Sequence, residues 1–94
     1  MFLNYVKKPV IVKAILWDGE NETYATIAEA MMSDGHLKMP STAGINDLEI
    51  ETSSGTQTAV QGDWIIRGVK AEYYPCSPDV FEMTYDLLYD SYQD

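Results

Sequence analysis

The chain has 94 residues with six basic and fifteen acidic side chains, a net charge of −9, and a hydrophobic content of 46% that includes two tryptophans and seven tyrosines. This length indicates a single domain over residues 1–94, and the apolar content excludes a disordered protein despite the charge. The acidic balance excludes direct binding to nucleic acid and to anionic membranes and favours basic partners. A single cysteine and the absence of a long uncharged apolar run indicate a reduced, cytoplasmic protein without a membrane span.

The first predicted elements are a strand and a helix. The segment "PVIVKAILW" (9–17) alternates in a way that places apolar side chains on both faces, which is typical of a strand in the centre of a sheet. Asp18-Gly19 predicts a turn. The segment "NETYATIAEAMMSDG" then predicts a helix over about residues 22–33, with Asn21 as its cap and Gly35 as its stop.

The middle of the chain predicts a loop followed by a hairpin. "HLKM" is at most a short strand, and "PSTAGIND" (40–47) predicts a loop because it contains several turn-forming residues. "LEIET" (48–52) alternates, so its leucine and isoleucine should face the core while Glu49 and Glu51 face water. Ser53-Ser54-Gly55 predicts a short turn into a second strand, "TQTAV".

The last third of the chain predicts two further strands and a second helix. Gln61-Gly62-Asp63 predicts a turn, "WIIR" a strand, and Gly68 a bulge or tight corner before the strand "VKAEYY". Ser77-Pro78-Asp79 combines a capping hydroxyl, a first-turn proline and a first-turn acid, which indicates a helix over about 78–89. The apolar stripe of that helix consists of Phe81, Tyr85 and Leu88.

These elements predict an α+β domain with a mainly antiparallel sheet of five or six strands, two helices packed against it, and a flexible tail at 90–94. The predicted core consists of Val10, Val12, Ile15, Ile27, Met31, Ile50, Val60, Ile65, Val69, Phe81 and Tyr85.

The residue types that support catalysis have simpler structural roles in this sequence. His36 and Cys76 lie 40 positions apart with no ligand spacing around either, so we expect no metal and no cofactor. A thiol nucleophile at Cys76 with His36 as its base is the alternative to a cysteine that packs as a small apolar side chain before a helix. Asp63 beside Trp64 could be a carboxyl with a raised pKa, but an Asp in this position usually bonds the backbone of its own turn. We therefore expect that the protein is not an enzyme.

Two rows of acids are candidate surfaces for a partner protein, and solvated faces are the alternative interpretation. Glu49 and Glu51 lie two residues apart on one strand face, a separation close to that of successive phosphates along a DNA strand. A second row and its neighbouring tyrosines along the last helix and tail consist of Asp79, Glu82, Asp86, Asp90, Tyr89 and Tyr92. An alternative site is a small-molecule pocket that stacks a nucleotide, which would be formed by Trp64, Arg67, Lys70, Tyr73 and Tyr74.

The segments "YVKKPVIVKAILWDG" and "GDWIIRGVKAEYYPCSPDVFEMTY" resemble a family of short proteins encoded by phages and prophages, mostly of Gram-positive bacteria, to which no activity is attached. The family commonly carries Gly and a basic residue where this chain has Ala71 and Ser77. The resemblance implies a location in the cytoplasm of the infected or lysogenic host.

Many small acidic phage proteins without enzyme motifs act by occupying a host protein. The resemblance therefore implies a non-catalytic protein that inhibits a host defence system such as CRISPR, with imitation of DNA charge as one mode of action. Two other functions fit the same sequence: an oligomeric protein that sequesters a small nucleotide signal, and a phage accessory or virion-associated structural protein. The partner would be a host or phage protein, including nucleic-acid-binding ones, and self-association into a homo-oligomer is compatible with the sequence.

Overall fold

The structure, a computed structural model, describes residues 1–88 and contains two helices and two antiparallel three-stranded sheets. The elements in chain order are β1 (Lys13–Leu16), α1 (Asn21–Ser33), β2 (Ser41–Ala43), β3 (Asp47–Thr52), β4 (Gly55–Ala59), β5 (Trp64–Arg67), β6 (Tyr73–Cys76) and α2 (Pro78–Thr84). The strand order is β1-β5-β6 in the first sheet and β2-β3-β4 in the second. The α+β class is confirmed, but the six strands form two sheets rather than one. No helix in residues 1–88 is both long enough and apolar enough to cross a bilayer.

Strand β1 lies at the edge of the first sheet, so the prediction of a central strand over residues 9–17 is wrong. It pairs with β5 in a register that runs from Lys13 opposite Arg67 to Leu16 opposite Trp64. β5 uses its other edge to pair with β6, and within residues 1–88 no strand pairs with the second edge of β1. Leu16, the last residue of β1, is 43% exposed.

The core lies between α1 and the inner faces of the two sheets. Its buried members are Trp17, Ile27, Met31, Leu48, Ile50, Ala59, Ile65 and Tyr73. The predicted burial of Ile27, Met31, Ile50 and Ile65 is confirmed, and Ile15 packs against this cluster from β1.

Six predicted core residues lie elsewhere, because their burial depends on tertiary context that a periodic pattern does not contain. Val10 precedes β1 and is 50% exposed, and Val12 beside it is half-buried. Val60 and Val69 are exposed because they occupy the turns on either side of β5. Phe81 and Tyr85 are half-buried and lie outside the main cluster.

Helix α1 confirms the predicted span, and its two ends are fixed by local hydrogen bonds. Asn21 is the first helical residue rather than the cap, and the residue before it, Glu20, donates its backbone N–H to the Asp18 carboxylate over 3.0 Å. At the other end Gly35 has a φ of 88°, and the N–H groups of Gly35 and His36 donate to the carbonyls of Met32 and Met31. This pair of hydrogen bonds requires the left-handed conformation that glycine adopts without steric cost, so the predicted stop at Gly35 is confirmed.

Helix α2 begins at the predicted residue but ends at Thr84, well before the predicted end at residue 89, which lies outside the described residues. Pro78 occupies the first turn as predicted, whereas Ser77 makes no side-chain capping bond. The helix packs through Phe81, whose ring stacks on Trp64 with a centroid separation of 4.2 Å. Tyr85 is already extended, with φ −127° and ψ 145°, because one aromatic contact supports only a short helix.

The second sheet begins in a segment that the sequence predicts to be a loop. Ser41–Ala43 forms β2 and pairs with Asp47–Glu49 of β3, whereas the residues of "HLKM" form no strand. Pairing with a strong neighbouring strand overrides the weak strand propensity of this segment. The hairpin between β3 and β4 is confirmed, with Thr52 opposite Gly55.

The carboxylate of Asp34 joins the C-terminus of α1 to β5 and β6. Arg67 donates to it through Nε over 2.7 Å and through Nη2 over 3.0 Å, and the Tyr73 hydroxyl donates to it over 2.6 Å. Hydrogen bonds from Arg67 and Tyr73 hold the pKa of Asp34 well below its ordinary value. Burial and the Asp34 carboxylate raise the pKa of Tyr73 to about 12. His36 donates from Nε2 to the Ala71 carbonyl over 2.7 Å.

Removing parts of this cluster should destabilise the fold in a pH-dependent way. Tyr73→Phe keeps the ring but removes a buried hydroxyl, so we expect the free energy of unfolding to fall by about 1–2 kcal/mol.

The substitution Asp34→Asn removes the charge of this carboxylate at every pH. Because the folded-state pKa of Asp34 is lowered from 3.8, its ion pair stabilises the wild type above about pH 4, and this stabilisation is lost as the pH falls through the lowered value. Thermal melts from about pH 7 to pH 2 should therefore show the wild type and Asp34→Asn converging on acidification. A constant difference across that range would contradict the ion-pair account.

The conformation of Ala71 predicts a stabilising substitution. Its φ of 59° lies in the left-handed region, which costs an L-residue about 1–2 kcal/mol. Replacement by glycine removes this strain but increases the conformational entropy of the unfolded chain, which lowers stability by about 0.4–1 kcal/mol. Ala71→Gly should therefore stabilise the protein by about 0.5–1 kcal/mol and raise the melting temperature by about 2–8 °C. Ala25→Gly, at an exposed helical position, is the control and should lower the melting temperature. If both substitutions destabilise the protein equally, Ala71 is not strained.

Candidate functional site

The outward face of the second sheet presents a row of acids along β3. Leu48 and Ile50 are fully buried on the inner face, and the alternation of the strand directs Asp47, Glu49 and Glu51 to the other side. The predicted outward orientation of Glu49 and Glu51 is confirmed. Asp47 extends the row by one position, and the period-two pattern of "DLEIE" could have identified it had the strand been started one residue earlier.

Short hydroxyl side chains flank this row on both neighbouring strands. Ser41 and Thr58 lie opposite Glu49, and Thr56 lies opposite Glu51 and donates its hydroxyl to that carboxylate. Cross-strand partners lie on the same face of a sheet, so the acids and hydroxyls form one continuous surface. We call this surface the acidic face and define it by Ser41, Asp47, Glu49, Glu51, Thr56 and Thr58.

The acidic face is weakly neutralised. Lys38 Nζ lies 3.9 Å from Glu51 Oε1, and both side chains are largely exposed. An exposed pair at this distance contributes little binding energy and is screened by salt, so Lys38 can leave Glu51 when another cation approaches. The arrangement can attract a basic surface, and the hydroxyls can donate hydrogen bonds beside it.

The second predicted acidic row does not continue along a helix. Asp79 and Glu82 lie on α2, but Asp86 follows the end of the helix at Thr84, so the spacing of three and four no longer places these acids on one face. Asp86 instead lines a groove beside Tyr85. Asp90, Tyr89 and Tyr92 lie outside the described residues.

The five residues of the alternative nucleotide pocket are distributed over several parts of the surface. Arg67 and Tyr73 line a cavity against α1, Tyr73 and Tyr74 together line another beside the β3–β4 turn, and Trp64 lines a third. Lys70 lines a shallow depression near His36. The single hydroxyl donor of Tyr73 and two of the five N–H donors of Arg67 are already bonded to Asp34, which leaves fewer donors for a phosphate.

The corner from Gly62 to Tyr85 uses its polar groups for structure. The Asp63 carboxylate accepts the backbone N–H of Val60 over 3.0 Å, which confirms the predicted turn bond. Burial, with a smaller effect of the Asp63 charge, raises the pKa of the Cys76 thiol, which opposes the thiolate form that a nucleophile needs. In the described part of the chain no three His, Cys, Asp or Glu side chains are grouped in a way that could hold a metal ion.

A groove on the α2 side of the first sheet is almost entirely apolar. It has a volume of about 410 Å³ and is lined by Val10, Val12, Trp64, Phe81, Tyr85 and Leu88, with Asp86 among its few polar residues. Ile11, which precedes β1, and Ala14 on β1 also line the groove. We refer to it as the apolar groove.

The raised pKa of Cys76 predicts low thiol reactivity. At about pH 8 an aromatic disulfide reagent should react with the folded protein more slowly than with the urea-unfolded chain, because burial disfavours the thiolate. The matched variant Asp63→Asn removes the smaller, charge-based effect and should increase the folded-state rate slightly. A folded-state rate above that of the unfolded chain would identify an activated thiolate and contradict the structural role.

Comparison of the chain with known protein families, with curated proteins and with solved structures finds no match. The interpretation of the site therefore depends on its geometry and charge.

Proposed function

We propose that this chain is a phage-encoded protein that binds a partner protein without catalysing a reaction, and that it inhibits a defence nuclease or complex of the bacterial host. The observation that carries this proposal is the acidic face, where three acids on alternate residues of one strand project from a small sheet beside a row of hydroxyls. The resemblance to short phage proteins supplies the biological setting.

The distribution of charge supports a basic partner. Residues 1–17 contain Lys7, Lys8 and Lys13 and no acid, which gives this segment a charge of +3. Because the whole chain has a net charge of −9, the remaining residues carry −12. Of the other three bases, Arg67 is paired with Asp34 and Lys38 lies beside Glu51. A body of this charge steers a positively charged surface into encounter over about 8 Å at physiological salt.

The spacing of the acids supports a partner that normally binds nucleic acid. Successive acids on β3 are two residues apart, which is about 6.6–6.8 Å along an antiparallel strand. A groove built to neutralise the regularly spaced phosphates of a DNA strand carries Lys and Arg at comparable intervals. Such a groove can accept three carboxylates in a row, and the hydroxyls of Ser41, Thr56 and Thr58 can bond its polar side chains.

Substitution of the acidic face tests the proposal. The tagged full chain would first be used to capture partners from lysates of Gram-positive hosts, with mass spectrometry of both proteins and small molecules. Association with the purified partner would then be measured between about 50 and 500 mM salt, a roughly threefold change in Debye length. Glu49→Lys/Glu51→Lys should slow association about tenfold or more at low salt and reduce its salt dependence. The double variant should also restore host defence against phage plating when it replaces the wild type.

The matched control is Glu20→Lys/Glu29→Lys, which makes the same charge change at exposed positions on and beside α1. It should retain most of the association rate and the inhibition of defence. Equal effects of the two double variants would contradict the acidic face as the binding surface. Recovery of a nucleotide instead of a protein would favour the sequestering alternative, and recovery of virion components would favour a structural role.

A further inference from the structure

The N-terminal arm, residues 1–12, has a composition that does not suit its exposed position. It forms no helix or strand, and Phe2, Leu3, Tyr5, Val6 and Ile11 are all exposed, Ile11 by 76%. The radius of gyration is 14.6 Å, against about 12 Å for a compact domain of this length. A group of exposed large apolar side chains on a protein surface usually marks an interaction site.

The arm leads directly into the unpaired edge of the first sheet. Residues 10–16 are apolar on both faces apart from Lys13, which is typical of a strand with neighbours on both edges, yet within residues 1–88 β1 pairs with β5 alone. An exposed apolar edge strand is a template for pairing with another strand. One additional strand beside β1 would cover the exposed parts of Val10, Ile11 and Leu16.

The charges of the arm indicate which molecule supplies the additional strand beside β1. The arm and β1 carry Lys7, Lys8 and Lys13 and no acid, whereas the remaining residues of the same chain carry −12. Within the chain Lys7 Nζ already lies 5.9 Å from the centroid of the Tyr85 ring, at the apolar groove that also contains Asp86. A basic, apolar arm is therefore complementary to an acidic body with an apolar groove, and both are present in every copy of this chain.

We propose that two copies of this chain form a symmetric dimer in which the β1 edges pair antiparallel across a twofold axis and the exposed residues 2–6 of each arm pack on the apolar groove of the other copy. A twofold axis makes the contact self-complementary, so the dimer closes and leaves neither β1 edge open for further addition. The first sheets of the two copies, each with the order β1-β5-β6, then form one six-stranded sheet in which the two β1 strands are central. The proposal is independent of the acidic face, which lies on the other sheet.

The available area is sufficient for a stable dimer. Phe2 and Tyr5 together present about 300–500 Å² of surface per arm, so two arms present about 600–1,000 Å². They would cover a similar area on the partner, which gives a total within the range of about 1,200–2,000 Å² that specific interfaces bury. Leu3, Val6, Ile11 and the backbone bonds between the two edges add to this total.

Sedimentation of the full chain over a range of concentrations tests the dimer. The wild type should sediment as a dimer at micromolar concentration, and Ile11→Asp should weaken the dimer at least about tenfold, because it places a desolvated charge beside the other edge. Val6→Asp should have the same direction of effect. Both side chains are exposed in the single chain, so neither variant should lower the melting temperature of the monomer. Leu37→Asp, a fully exposed leucine remote from the arm in sequence, is the matched control and should leave the dimer intact.

Amide hydrogen exchange provides a local readout in the same samples. Residues 10–16 should become more protected as the protein concentration rises, and Ile11→Asp should abolish this change, while residues 48–59 exchange equally in all samples. A wild type that remains monomeric at about 100 µM would overturn the proposal and assign the arm to a different protein. A trimer or an open-ended series of oligomers would overturn the twofold pairing. Equal oligomeric states for Ile11→Asp and Leu37→Asp would exclude the β1 edge as the interface.

Discussion

The burial of Trp17 is the constraint that holds the two sheets in one domain. Its indole N–H donates to the carbonyl of Asn46 in the turn before β3, over 2.8 Å. Its backbone N–H and carbonyl bond Asp63 and Gly62 in the turn before β5, also over 2.8 Å each. An indole buries a large apolar area, and its N–H needs a partner once water is excluded, so Trp17 joins the turn before β3 through its side chain and the turn before β5 through its backbone. The acidic face lies on the second sheet and β1 on the first.

Local patterns in the sequence predicted the parts of the fold that local physics determines. The alternation of "LEIET", the Ser53-Ser54-Gly55 turn and the stop of α1 at Gly35 depend only on neighbouring residues, and all three are confirmed. The acidic face was predicted through Glu49 and Glu51 for the same reason.

The misplaced features depend on contacts between distant residues. The cluster of Asp34, Arg67 and Tyr73 joins positions 33 and 39 apart, and Trp17 owes its central role to two turns that follow it much later in the chain. The length of α2 depends on how much apolar surface the sheet offers to it, and that surface ends with Trp64 and its neighbours. The apolar pattern of residues 9–17 predicted a central strand, but within residues 1–88 β1 has one neighbour, and this mismatch is what points to a second copy.

Several polar groups of the Gly62–Tyr85 corner have structural roles. Asp63 completes a turn, Arg67 and Tyr73 secure α1, and burial raises the pKa of the Cys76 thiol. The strongest remaining asymmetry of the molecule is its charge, with a basic apolar arm and an acidic body. A dimer that uses the arms internally would cover the lysines of both copies and present two acidic faces to a partner.

The central claim is that a partner protein meets the acidic face, and amide hydrogen exchange of the full chain with and without the captured partner tests it most directly. The account predicts that added protection is concentrated in residues 41–58, which form β2, β3 and β4, and that the region of Asp63 and Cys76 exchanges as in the free protein. Protection confined to residues 62–85, with residues 41–58 unchanged, would contradict the account and direct attention to the corner as the functional site.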